Sequence, residues 1–367
     1  SGMRSLSRLL AITKKEVRQL RRDRLTFGMI VGIPVIQMLL FGYAINTDVR
    51  NLRTAVADQA NTHLSRQFVA ALRETQVVDI VDFVDTPTDI DKRLRQGEVS
   101  VGVIIPADFD RRVIDPDRSA VHLIVDGSDP TIANVALQLR NFPIAFDSGV
   151  QQARINNIEV RPNYNPERRT PVNIIPGLMG VILTLTMMLF TAVAIVRERE
   201  RGTLELLINT PVSSAELMVG KVIPYIVIGM IQLALILVVG DALFQVPMRG
   251  SVLDLYLASG AFIAANLALG LVISTVAKTQ FQAMQMTFFV LMPSILLSGF
   301  VFPFDGMPRL AQYIGEVLPV THYIRLTRGI MLRDAPLIEL YPELIALGVF
   351  TLIAMTAAAL RFTKRLD

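Results

Sequence analysis

Residues 197–221 read RERERGTLELLINTPVSSAELMVGK, and the reading of this stretch decides the fold. It opens on alternating charges, Arg197, Glu198, Arg199, Glu200 and Arg201. It passes through Gly202 and Thr203 into an amphipathic run, Leu204–Ile208 with Glu205, and closes on Pro211-Val-Ser-Ser. Uncharged runs flank it on both sides, Ile174–Val196 and Val222–Gly240. Each is close to the roughly 20 residues an α-helix needs to cross a bilayer. A plain link between two spans needs far fewer residues than this one has. The stretch therefore reads as a short helix lying on one membrane face, where something on the aqueous side can push on it. A capped surface helix with balanced i,i+4 charge pairs would show the same spacing, so the residues alone leave docking and purely structural roles open.

Working outward, the same kind of apolar run recurs. The 367 residues are 52% hydrophobic with a mean hydropathy of +0.47, and the apolar residues are clustered, which excludes an ordinary soluble domain. Upstream lies Leu25–Ile45, with Gly28 and Gly32 at a spacing that permits close helix approach in lipid. Downstream lie Leu255–Ala277, Phe281–Pro303 and Leu344–Leu360. No Asp, Glu, Lys, Arg or His interrupts the cores of these runs. The count is six spans, with both termini on one side. The expected architecture is a membrane α-helical protein of six transmembrane helices carrying an inserted external α/β domain.

The expected order is as follows. Residues 1–24 form a basic amphipathic helix, with Leu6, Leu9, Leu10, Val17 and Leu20 on one face and Lys14, Arg18, Arg21 and Arg22 elsewhere, suited to an anionic membrane surface. Ser1-Gly2 before Met3 reads as a cloning remnant. Residues 25–45 form the first span. Residues 46–171 form the α/β domain, because charge and Pro return and strand-length runs alternate with helix-like ones. The strands are Arg53–Ala57, Val77–Val84, Val99–Ile105 and Ala120–Val125, and the helices Leu64–Glu74, Thr88–Arg95 and Ala107–Ile114, in a mainly parallel sheet. Thr88 is expected to cap its helix after Pro87. A further helix is expected from Thr131 to about Asn156, then a Pro- and Arg-rich link from Val160 to Pro171. Residues 172–361 form the other five spans, with the surface helix inside 197–216 and a pair of half-inserted helices inside 305–335. Residues 362–367 form a tail.

Lys and Arg beside the spans set orientation. The basic lead, Arg197, Arg199, Arg201 and Lys221, then Lys278, then Arg361, Lys364 and Arg365 all fall on one side of a six-span chain, which makes that side cytoplasmic. Phe304–Tyr341 departs from the rule, since it should be external yet holds Arg309, Arg325, Arg328 and Arg333.

Several chemistries have no residues to carry them. Cysteine is absent, which removes disulfides and thiolate chemistry. His63, His122 and His322 have no metal-ligand spacing, and Asp89 with Asp91, or Asp126 with Asp129, read as caps and turns, so no catalytic residue and no metal site is expected. Gly220-Lys221 lacks the upstream glycine of a phosphate-binding loop. The spans hold no ionisable relay for ion coupling. Basic residues sit in short groups beside spans, which is topology signal and no nucleic-acid footprint. If the spans move cargo, the driving free energy must come from another polypeptide. Neutral polar and soft residues that could line a path are Thr184, Met188, Gln232, Asn266, Met284, Gln285 and Met286, although helix packing employs the same types.

Glu198–Pro211 (ERERGTLELLINTP) with Glu216 and Gly220-Lys221 resembles the cytoplasmic loop of ABC type-2 export permeases. Leu297-Ser-Gly-Phe-Val-Phe-Pro, Asp305-Gly-Met-Pro, Leu318-Pro-Val-Thr-His-Tyr and Arg328-Gly-Ile resemble the same family in the same order. Phe41-Gly-Tyr-Ala-Ile-Asn is similar to the subgroup with a large periplasmic domain after the first span. The resemblance implies an elbow helix at Arg4–Arg24, a coupling helix at Glu198–Leu207 and external half-inserted helices at Pro308–Met331. It implies ATPase-coupling roles for Arg197, Glu198, Arg199, Glu200, Arg201, Gly202, Thr203 and Glu205. It also implies a second permease copy or paralogue, a separate ATP-binding cassette subunit that carries ATP and Mg, a periplasmic adaptor, and a place in the bacterial inner membrane. This chain would bind no cofactor itself, and the cargo would be hydrophobic or amphiphilic. A membrane-anchored sensor or scaffold whose external domain binds a ligand or protein is the other class considered. Five clustered spans are excessive for an anchor.

Overall fold

The computed structural model describes residues 50–115, 117–129, 144–147, 152–155, 158–164, 170–202, 214–302 and 304–363, with a few isolated positions besides. Of the expected elbow helix only Ala11, Lys14, Arg18, Arg22 and Arg24 are described, each helical and exposed, while the first span, Thr203, Glu205 and the tail from 364 lie outside the described residues.

Residues 50–164 build a sheet unit. Its strands are β1 (Leu52–Asp58), β2 (Val78–Phe83), β3 (Val101–Ile105), β4 (Val121–Asp126) and β7 (Ile158–Asn163), in the order β2-β1-β3-β4-β7. Three of its four pairings are parallel, and β3–β4 is antiparallel. The helices are α1 (His63–Glu74), α2 (Pro87–Arg95) and α3 (Phe109–Arg112). Alternation along β1 sends Leu52 and Val56 into the cluster that holds Phe68 and Leu72 of α1. It sends Ala55 and Ala57 into the cluster of Ile90 and Leu94 of α2. Helices therefore cover both faces of the sheet. Thr62 caps α1 in a reciprocal box with Ser65, and Thr86 caps α2 with Pro87 in its first turn.

Three sequence expectations fail in this unit. The cap of α2 is Thr86, one residue before the proline, because Pro needs no amide partner in the first turn and Thr88 is already helical. The helix expected from Thr131 to Asn156 is not continuous. Ile132, Ala133 and Leu139 are helical, but β5 (Ile144–Asp147) and β6 (Gln152–Ile155) form an antiparallel pair. The link expected from Val160 begins as β7, which gains six partner positions along β4.

Five described helices are long and apolar enough to cross a membrane. They lie in α4 (Thr170–Glu200), α5 (Ser214–Phe244), α6 (Val252–Val276), α7 (Gln280–Leu297) and α10 (Tyr341–Thr363, whose span begins at Leu337). The fifth run ends at Leu297, not Pro303. Between α7 and α10 lie α8 (Arg309–Val317), α9 (Pro319–Thr327) and a π-turn, Arg328–Leu332.

α4 and α6 are the buried pair, and α6 also packs on α5, α9 and α10. Gly270 permits the central contact: a Cβ there would stand 2.9 Å from the Met188 carbonyl oxygen and from Thr191 Cβ. α5 and α10 instead present apolar side chains outward, including Val227, Ile231 and Leu235 on α5 and Val349, Leu352 and Ile353 on α10. Water would penalise such faces, and hydrocarbon does not.

Candidate functional site

The charged stretch 197–202 begins as the end of a span. Arg197 to Glu200 complete the last turn of α4, and Gly202, at φ +73°, ends the helix. The front of the expected coupling helix is thus continuous with the membrane helix, and 203–213 lie outside the described residues. Arg199 and Glu200 bind other elements of the chain. Arg199 Nη1 donates to the carbonyl of Ala277 at 3.0 Å, beyond the end of α6. Glu200 accepts from the Gln280 amide at 3.2 Å and from its Nε2 at 2.8 Å, at the start of α7. The Gln280 amide belongs to the first turn of α7, where N–H groups lack helical partners and a carboxylate meets the positive end of the helix dipole. Arg197 and Arg201 are exposed and Glu198 is half-buried.

The seven path candidates do not converge. Thr184 and Asn266 share one level of the α4–α6 seam. Gly180, one turn before Thr184, lies beside Tyr323, which stacks on Phe262 at 4.1 Å. Met188, one turn after, lies against Gly270. Both side chains are buried, and Thr184 Oγ1 and Asn266 Oδ1 have no hydrogen-bond partner among the described residues. Asn266 Nδ2 donates to the Phe262 carbonyl at 3.1 Å. Met188 and Met286 share an apolar cluster between α4 and α7. Gln232 accepts from Thr186 at 2.8 Å, Gln285 is half-buried with Oε1 unpartnered, and Met284 faces outward.

Sequence reasoning missed the charged cluster at the opposite end of the bundle. His322 on α9 presents Nδ1 to the Glu343 carboxylate of α10 and Nε2 to the Glu316 carbonyl of α8, the latter at 2.7 Å. Nε2 donates to the carbonyl, and the protonated ring can donate from Nδ1 to the Glu343 carboxylate as well. Burial alone would lower its pKa, but the bonds to Glu343 and Glu316 and the Glu343 charge raise it above the ordinary value. Arg325 pairs with Glu316 at 2.8 Å and with Glu343 at 3.4 Å, and its guanidinium stands 4.6 Å over the Phe304 ring. Beside this cluster, Arg328 pairs with Asp129 at 3.2 Å and Arg333 with Asp126 at 3.0 Å, every one of these side chains less than a tenth exposed. Burial raises the pKa of Asp305, against the hydrogen bond from Ser100. Arg325, Arg328 and Arg333, which broke the charge rule for orientation, each carry a carboxylate partner.

The fold and these two charged ends define a multi-pass integral membrane protein whose spans are joined by polar clasps at both ends. The profile of the ABC-2 family transporter proteins matches residues 24–360, and the chain belongs to that family. The chain is 29% identical to the probable multidrug ABC transporter permease YbhS of Escherichia coli K12, over 99% of this chain and 98% of that protein. It is also 29% identical to the permease YbhR of the same strain, over 98% and 99%. ABC transporter G family member 20 of Dictyostelium discoideum is 24% identical over 89% of this chain, which corresponds to 46% of that longer protein.

Proposed function

We propose that this chain is the membrane subunit of an ATP-driven exporter in a bacterial inner membrane. It works with an ATP-binding cassette subunit and a second permease, a copy or a paralogue. In this reading the first span makes six, both termini are cytoplasmic, and the sheet unit lies in the periplasm, where an adaptor can dock. Cargo is hydrophobic or amphiphilic, in keeping with the multidrug designation that YbhS and YbhR carry.

The observation that carries the reading is the clasp from Arg199 and Glu200 to Ala277 and Gln280. A partner that displaces residues 203–213 pulls on the end of α4, and the clasp passes that displacement to the α6–α7 turn. One push thereby reaches three spans, as a rigid-body switch requires. The charge-free span cores support an external energy source.

The test is co-expression with the ATP-binding subunit. Glu198→Ala with Glu205→Ala lowers both co-purification and permease-stimulated ATP hydrolysis. Unchanged values in both remove the docking role.

A further inference from the structure

We propose that Asp126 and Asp129 are positioning residues of the transport cycle: paired with Arg333 and Arg328, they latch the sheet unit onto the π-turn, and this junction opens and closes as the bundle switches. The inference rests on the export reading and adds a moving part to it.

The geometry starts from sequence. Both aspartates belong to the turn Asp126-Gly-Ser-Asp129 at the end of β4, and the two arginines bracket the π-turn Arg328–Leu332. Asp126 is held rigidly, because its other oxygen accepts from the amide and hydroxyl of Ser128. The π-turn is held from behind. Arg249, between α5 and α6, donates its amide to the Met331 carbonyl at 2.9 Å and its guanidinium to the Leu332 carbonyl at 3.0 Å. A Cβ on Gly250 would stand 2.2 Å from the Ile330 carbonyl oxygen, so no other residue permits that approach. Arg328 also donates to the Gly299 carbonyl beyond α7. The π-turn therefore joins α5, α6, α7 and α9, and the two aspartates attach the sheet unit to that joint. An extra residue in a helical turn is a recurrent mark of functional segments.

The chemistry of the contact makes it releasable. Permanent contacts bury apolar surface, whereas this one buries charge. The attraction within a buried pair roughly offsets the cost of stripping its water, so docked and separated arrangements lie close in free energy. The Nε atoms of Arg328 and Arg333 are buried without partners among the described residues, and both side chains line a cavity of about 230 Å³ with Arg53, Ser100 and Asp305. A polar cavity of that size admits water, which rehydrates the charges as the halves part. A joint with two near-equal packings is what a switching transporter can bias.

The chain contains no cysteine, so engineered pairs report without background. Ser100 Oγ of the sheet unit lies 3.2 Å from Asp305 Oδ2 of the bundle side. Ser100→Cys with Asp305→Cys is bridged by a short reversible bis-methanethiosulfonate, in the complex with its ATP-binding subunit in phosphatidylethanolamine–phosphatidylglycerol vesicles. Bridging is expected to cut permease-stimulated ATP hydrolysis about tenfold, and reduction to restore it. Thr62→Cys with Asp110→Cys, a pair within the sheet unit, leaves the rate unchanged when bridged. Equal rates in the bridged and reduced junction overturn the latch. Lack of stimulation by the unmodified complex overturns the export reading, and this inference with it. As a second variant, Asp126→Asn lowers the stimulated rate at least fivefold while Asp117→Asn, on the exposed surface, does not; an unaltered rate in Asp126→Asn also contradicts the latch.

Discussion

Arg199 and Ala277 are 78 positions apart in sequence, yet the guanidinium of one lies 3.0 Å from the carbonyl oxygen of the other. The carbonyl at the end of α6 lacks a helical partner, and a cation satisfies it while matching the negative end of the helix dipole. With Glu200 on Gln280, this makes the end of α4 the keeper of the α6–α7 turn.

Breaking the clasp should separate partner docking from its effect. Arg199→Ala with Glu200→Ala should leave co-purification of the ATP-binding subunit intact and lower the stimulation of its hydrolysis. Coupling free energies of about 1–3 kcal/mol place the loss at roughly 5–150-fold. Co-purification and ATPase rate, measured on the same preparation, check this.

His322 should make stability depend on pH. Its pKa is raised in the folded protein by Glu343 and Glu316, against the opposing effects of burial and of Arg325. The stabilisation is therefore complete below the ordinary histidine value near 6.5 and is lost as pH rises through the higher folded value. The melting temperature of the unmodified chain in detergent should fall relative to His322→Gln as pH rises above that range. Parallel profiles would contradict the assignment.

Gly270→Ala should destabilise the bundle although alanine favours helix. The added methyl meets the Met188 carbonyl and Thr191 Cβ at 2.9 Å, and such overpacking costs about 1–3 kcal/mol. Thermal unfolding in detergent reads the effect, and Gly348→Ala, where nothing lies within 4 Å of the added atom, serves as the contrast.

Asn266→Leu should raise thermal stability and lower transport. Asn266 Oδ1 is buried without a partner in the described packing, and an unsatisfied buried acceptor costs about 1–3 kcal/mol. Replacing it removes that cost only in this arrangement, which biases the bundle toward it. Melting temperature and ethidium efflux from vesicles, measured together, test the pairing of effects.

The spans were legible because a charge-free run of about 20 residues has few other uses. The strands of the sheet unit up to Val125 were legible from short β-branched runs between turn residues. Residues 144–163 were not. IAFD and QARI are too short to carry a period, and β7 is defined by its pairing with β4, a contact no local pattern displays. At the Arg197–Arg201 end, alternating charge drew attention to Arg199 and Glu200 but could not show that they face Ala277 and Gln280. At the opposite end, Asp126 and Asp129 read as turn residues, which they are, while their partners lie about 200 positions later. His322 carries no motif because its partners come from two other helices.

The central claim is that the bundle is a passive gate driven by a separate ATPase, and vesicle transport tests it most directly. Ethidium movement is followed for the chain alone and for the chain with its ATP-binding subunit, with ATP or with an imposed proton gradient as the energy source. Movement only in the complex, and only with ATP, is the predicted result. Gradient-driven movement by the chain alone would contradict the account.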